Sequence, residues 1–215
     1  MEVLQLIGDF FGALLAAANR AMRLDPTALT TGTRFGWWVP VAVALISGVS
    51  ITLGHGVVLA INRVRGFRRM LTMLASGIGT VLTGTLEALM IALAGHVVTG
   101  ASLNVMDLLT PVLLSSAPYW LGFLVAVPYS GPGIARGLNV WHLVCLWALL
   151  IPVLDVGRTI ALTVAAAGWL ATTALGWLVE HSPLRLRERV FRLVSGTKGL
   201  TSEDVLASST MEARR

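Results

Sequence analysis

Residues 107–133, "DLLTPVLLSSAPYWLGFLVAVPYSGPG", are almost wholly apolar and long enough to cross a membrane, yet they carry Pro111, Pro118, Pro128 and Pro132. Proline has no backbone donor, and its ring clashes with the carbonyl four residues back, so a helix interior normally excludes it. Within a bilayer such a break is tolerated only where neighbours or side-chain hydroxyls satisfy the freed carbonyls. Thr110, Ser115, Ser116 and Tyr119 supply hydroxyls beside Pro111 and Pro118. The stretch therefore predicts a helix with Pro111 in its first turn, a kink at Pro118, and an end at Pro128 and "SGPG".

The rest of the chain supports a membrane setting. Of 215 residues, 55% are hydrophobic and only 13% charged, with a mean hydropathy of +0.78. Soluble domains carry nearer a quarter charged residues. A span needs about 20 apolar residues, and five runs approach or meet that length: 37–62, 70–98, about 108–130, 140–154 with some residues before it, and 157–179. The expectation is an all-α polytopic membrane bundle of about five transmembrane helices.

Two appendages flank it. Residues 1–24 read as an N-terminal interfacial amphipathic helix, because Val3, Ile7, Phe10, Phe11, Leu14 and Ala18 recur at spacings of three or four. The alternative is a helix packed on its own bundle. Residues 25–36 form a linker with an Asp-Pro turn signal, and Trp37 and Trp38 mark the membrane–water boundary. The membrane domain then covers 37–180, and a basic tail covers 181–215.

Charge orients the bundle. Fifteen of the sixteen basic residues are arginine. Arg63, Arg65, Arg68 and Arg69 crowd one loop, while Arg185, Arg187, Arg189 and Arg192 crowd the tail. Both are suited to anionic lipid headgroups, and the positive-inside rule puts both in the cytoplasm. Four crossings between them require an external N-terminus and a cytoplasmic C-terminus. The basic balance is not read as a nucleic-acid signature. The arginine-rich, lysine-poor composition points to a bacterial inner membrane.

Small residues should hold the helices together, since lipid provides no hydrophobic push between them. Gly48, Thr52 and Gly56 recur every fourth residue, as do Ser76, Thr80 and Gly84, and Gly168, Thr172 and Gly176. These faces suit packing within one chain or a homo-oligomer.

Few residues carry chemistry. Glu87 lies mid-span, where a carboxylate costs a few kcal/mol on insertion scales. It is either an ion or proton site or, the favoured reading, a carboxyl bonded to a neighbouring hydroxyl. His55, His96 and His142 lie in or near apolar runs and could ligate a metal or a pigment, although none has a second ligand at helical spacing. Packing is the favoured role for each. Asp155 and Arg158 are placed for a local ion pair. Cys145 stands alone, which excludes an intrachain disulfide. Phosphate loops, HExxH and Gly-x-Ser-x-Gly are absent from the sequence, so no catalytic residue is assigned, no metal site or cofactor is expected, and an enzyme is not expected. Lipids are the expected ligands, with a pigment possible.

One resemblance adds to this reading. Asp107-Leu108-Leu109-Thr110-Pro111 resembles the Asp-Leu-x-Gly-Pro element of the Yip1 family, and residues 116–150 resemble its bacterial members in placing Pro118, Pro128, Gly131, Gly133 and Trp141 in that order. The resemblance covers roughly residues 40–180. It implies a five-span, non-enzymatic membrane adaptor. The functional expectation is a scaffold or accessory subunit packed against a larger membrane protein complex. The alternatives are a small transporter or channel with Glu87 in its path, and a pigment- or haem-binding subunit.

Overall fold

A computed structural model describes residues 2–54, 67–100, 102–127 and 129–181, without the side chains of 67–69 and 179–181. The described chain is a helical bundle: α1 (Glu2–Met22), α2 (Trp38–Gly54), α3 (Phe67–Thr99), α4 (Val105–Ser115), α5 (Gly131–Leu154) and α6 (Arg158–His181). Two 3₁₀ turns, Pro26–Thr30 and Thr33–Phe35, link α1 to α2, and a longer 3₁₀ segment, Ala117–Ala126, continues α4. No strand occurs among the described residues.

Five of these stretches are long and apolar enough to cross a membrane, the mark of an integral membrane protein: Glu2–Met22, Met70–Thr99, Val105–Ala126, Gly131–Leu154 and Arg158–Leu178. Four of them coincide with expected runs, and α1 is the fifth. α1 enters the set because only Glu2, Asp9 and Arg20 interrupt its 21 residues. α2 is described for 17 residues, Trp38–Gly54, and the remainder of the expected first span, 55–62, lies outside the described residues. Trp37 and Trp38 stand exposed at its start.

The back half of α1 packs on the bundle, as the alternative reading of that helix had it. Leu14, Ala17, Ala18 and Ala21 lie on one face and are buried against Ala28, Val39, Val43, Leu114, Ala117 and Leu149. The front half keeps Val3, Leu4, Ile7 and Phe11 exposed. The Asp-Pro signal is realised, since the Asp25 carboxylate accepts the Thr27 N–H at 2.9 Å and caps the first 3₁₀ turn. That amide, with the Thr27 hydroxyl, holds the Asp25 carboxyl below its usual value.

A second cluster joins α3, α4, α5 and α6 through Ala88, Ile91, Leu108, Val112, Leu146, Leu150, Val164 and Ala165. α4 and α5 contribute to both clusters and so lie between them.

The prolines are used differently from expectation. α4 starts at Val105, capped by the Asn104 side chain, so Pro111 is inside the helix instead of in its first turn. "SGPG" does not end a span. Ser130 is the N-cap of α5 and Pro132 lies in its first turn, where a missing donor is harmless. The fourth span therefore begins at Gly131, well before residue 140. Pro128 lies outside the described residues. Asp155 and Arg158 form no ion pair. Asp155 takes a left-handed φ of 48° at the end of α5, and the Arg158 carbonyl accepts from Trp147 Nε1 at 2.9 Å.

Candidate functional site

The break at Pro118 organises the buried polar groups of the bundle. Pro118 cannot donate to the Leu114 carbonyl, so the α-helix stops at Ser115 and the chain continues as 3₁₀ helix. The change of pitch orphans the Ser115 carbonyl. Its 3₁₀ donor would be the N–H that Pro118 lacks, and its α-helical donor, the Tyr119 N–H, bonds the Ser116 carbonyl instead at 2.9 Å.

Neighbouring helices supply what the break lacks. Ser47 Oγ of α2 is 2.8 Å from both the Val43 and the Ser116 carbonyls. One turn on, Ser50 Oγ donates to the Trp120 carbonyl at 2.7 Å and accepts the Phe123 N–H at 3.2 Å. Trp120 Nε1 returns a bond to the Val43 carbonyl at 3.0 Å. Ser115 and Ser116, expected to help, donate within their own turn to the Val112 and Leu113 carbonyls. Sequence reasoning missed Ser47 and Ser50. Their signal was two hydroxyls three apart on one face of an apolar helix.

The orphaned Ser115 carbonyl is met by His142 Nδ1 of α5 at 2.8 Å. On its other side the same ring places Nε2 3.3 Å from Glu87 Oε1 of α3. Both residues are 5% exposed. Glu87 and His142 each stand twelve residues before the end of their helices, Thr99 and Leu154. At 1.5 Å per residue that is about 18 Å from the C-terminal end of each helix. The expected partner of Glu87 was a hydroxyl, but the partner is an imidazole. The pair is 55 positions apart in sequence, so a search at helical spacing could not find it.

Hydrogen-bond chemistry fixes the proton count. A carbonyl only accepts, so Nδ1 must carry a proton. The contact between Nε2 and Oε1 then needs one more, held as imidazolium with carboxylate or as neutral imidazole with carboxylic acid. Either form of the pair has zero net charge. Without that proton, a carboxylate would face the nitrogen lone pair in a buried setting, which is unfavourable. No Arg or Lys side chain pairs with Glu87 among the described residues.

Tyr119 covers the dyad on a third side. Its ring lies against that of His142, with centroids 5.3 Å apart, and its hydroxyl donates to Asn139 Oδ1 at 2.7 Å. Asn139 is exposed, one turn before His142 on α5. Both ring nitrogens of His142 are engaged, so a metal or pigment would have to displace Glu87 or Ser115. His96 is exposed near the end of α3, and His55 lies outside the described residues. No group of three His, Cys, Asp or Glu side chains converges among the described residues. A cleft between linker and α4, lined in part by Trp37, Pro40 and Thr110, measures about 180 Å³. Small-molecule sites run upward from about 300 Å³, so this cleft is too small for a pigment ring.

Most of the small-residue positions are contacts within the chain. A Cβ on Gly48 would strike Thr80, Ser76 and Gly77 of α3, and Ser76 Oγ donates to the Gly48 carbonyl at 2.9 Å. A Cβ on Gly84 would strike Leu113, and one on Gly168 would strike Ile91. Thr52, Thr80 and Thr172 each donate to the carbonyl four residues back on their own helices. Gly176 has no neighbour within 4 Å of its Cβ position, and Gly56 lies outside the described residues. Gly54 and Gly122, not singled out in the sequence, bring α2 against the 3₁₀ segment. Among the basic positions, Arg63, Arg65, Arg185, Arg187, Arg189 and Arg192 lie outside the described residues, and Arg68 and Arg69 are described as helical backbone alone. Asp107 falls in the first turn of α4, where a negative charge suits the helix dipole.

Comparisons with protein-family models, with curated proteins and with solved structures returned no match.

Proposed function

We propose that this chain is a small membrane transporter or channel whose coupling or transported ion is the proton, held by Glu87 and His142. The observation that carries this reading is the dyad itself. An acid and an imidazole, both buried at mid-helix and belonging to different helices, stand 3.3 Å apart, a contact that requires a proton between them. Ionisable groups at such depth are costly to insert and characteristically serve ion pathways. The helix beside them is discontinuous, as helices lining transport sites often are. In this mechanism a proton enters from one face and neutralises the pair. It leaves from the other face after the helices rearrange. Glu87 supplies the negative charge, His142 accepts and returns the proton, and Ser115 fixes the ring.

The test is proton flux in vesicles holding the full chain and a trapped pH dye, driven by a potassium diffusion potential. Glu87→Gln keeps the shape of the side chain and removes its charge. The expected result is flux that falls to that of protein-free vesicles, with the protein still folded. Unchanged flux in folded Glu87→Gln overturns the proposal.

A second reading is the accessory subunit, to which the Yip1-like resemblance also belongs. The observation favouring it is the exposed apolar front half of α1, with Val3 and Leu4 70% and 77% exposed. Purification from native membranes in mild detergent tests it. A stoichiometric partner supports it, and a lone chain argues against it.

A further inference from the structure

The geometry points to the Ser115 carbonyl as the moving contact of the dyad: when the pair gives up its proton, His142 changes tautomer, lets go of Ser115 and loosens the helix break. This inference rests on the proton-site reading and adds the mechanical step to it.

With the proton bound, His142 serves two acceptors. Nδ1–H bonds the Ser115 carbonyl at 2.8 Å, and the shared proton joins Nε2 to Glu87 at 3.3 Å. Removing one proton leaves a neutral imidazole with one N–H and two claimants. One claimant is a neutral carbonyl, the other a carboxylate. Bonds to an ionised acceptor are roughly twice as strong as neutral ones. The remaining N–H therefore moves to Nε2, and the Nδ1 lone pair is left facing the Ser115 carbonyl. The balance is simple: one proton leaves the pair, and one N–H moves from Nδ1 to Nε2.

The consequence falls on the weakest point of the backbone. The Ser115 carbonyl has no second donor at hand, because Pro118 has no N–H and the Tyr119 N–H is committed to Ser116. A buried carbonyl without a donor is costly, so the junction at residues 115–119 must shift to find one. Tyr119 moves with it. Its ring lies on His142 and its hydroxyl is bonded to exposed Asn139. Opening the break thus uncovers the dyad on the side of Asn139, which gives a path for the next proton. The groups facing the imidazole are few. α3 presents Glu87, the 3₁₀ segment presents Tyr119, and α4 presents the Ser115 carbonyl. Cys145 is buried one turn further along α5. No charged group of α1, the linker turns or α6 is within pairing distance among the described residues.

The test reads the ring directly. Full-length chain labelled with ¹⁵N-histidine is placed in lipid nanodiscs, and its ring nitrogen shifts are followed by solid-state NMR across a pH series. His142 is assigned by its contact with Tyr119. The expected result is a titration in which the Nδ1–H form at low pH gives way to an Nε2–H tautomer. Glu87→Gln, whose amide can donate to Nε2, should keep the Nδ1–H tautomer at every pH. If His142 keeps Nδ1–H while vesicle measurements still show Glu87-dependent proton flux, the switch is wrong and the proton site stands. If neither titration nor flux is seen, the proton-site reading falls and the switch with it.

Discussion

α3 packs against α4, and α3 and the α4–3₁₀ span solve the same problem in opposite ways. α3 runs unbroken for 33 residues and satisfies its own backbone. Several of its hydroxyls bond inward to the same helix, as Thr83 does to the Gly79 carbonyl at 2.9 Å. It can therefore leave much of its length to lipid, and 33% of its most apolar window is buried inside the bundle. The α4–3₁₀ span is interrupted at Pro118 and borrows bonds from Ser47, Ser50 and His142, and 56% of its window is buried. In lipid, an unsatisfied backbone group costs several kcal/mol. The broken element must be enclosed because only protein can supply the missing partners. That enclosure also brings a titratable ring to a backbone carbonyl.

Substitutions can set the two elements against each other. The largest effect is expected where they share a neighbour. Gly48→Leu would push a side chain into Ser76, Gly77 and Thr80, separating α2 from α3, and should cost about 3 kcal/mol or more. Reversible unfolding in mixed detergent measures this, and a loss below 1 kcal/mol would mean that α2 does not rest on α3 as described.

His142→Ala follows. It strands the Ser115 carbonyl and the Glu87 carboxyl together, and should destabilise by about 2–3 kcal/mol in the same assay. Glu87→Gln, which keeps a polar partner for the ring, should cost clearly less. Equal losses would show that the two groups act through packing instead of through the bond between them.

Ser47→Ala removes a hydroxyl that reaches the broken span and should cost about 1 kcal/mol, since interhelical bonds in membranes average about 0.6 and reach about 1.7. Thr83→Ala removes a hydroxyl that serves only its own helix, and should change stability by less than about 0.5 kcal/mol. Reversal of that order would remove the contrast between the two spans. Smallest of all, Gly176→Leu adds a side chain to open space on α6 and should leave unfolding within about 0.5 kcal/mol of the native chain.

Much of this was legible residue by residue. Composition and apolar run length identified the helical membrane class, because bilayer thickness acts on single segments. Pro118 announced the break, and Gly48 and Gly168 announced the close approaches. Pro132 was misread, since a proline after an apolar run can stop one helix or start the next, and only the path of the chain distinguishes these. α1 was split between two readings because a leucine and three alanines look alike on a lipid surface and on a protein surface.

What the sequence determined by itself is therefore local: which segments prefer lipid, where a helix cannot donate, and which faces are shallow. The tertiary structure decided which groups from distant segments meet. Glu87 and His142, far apart in the chain, had no periodicity to connect them. The orphaned Ser115 carbonyl, created by a proline three residues away, demanded a donor without naming one. Hydrogen bonds between helices depend on rotation and depth about separate axes, and those are set by the packing of the whole bundle.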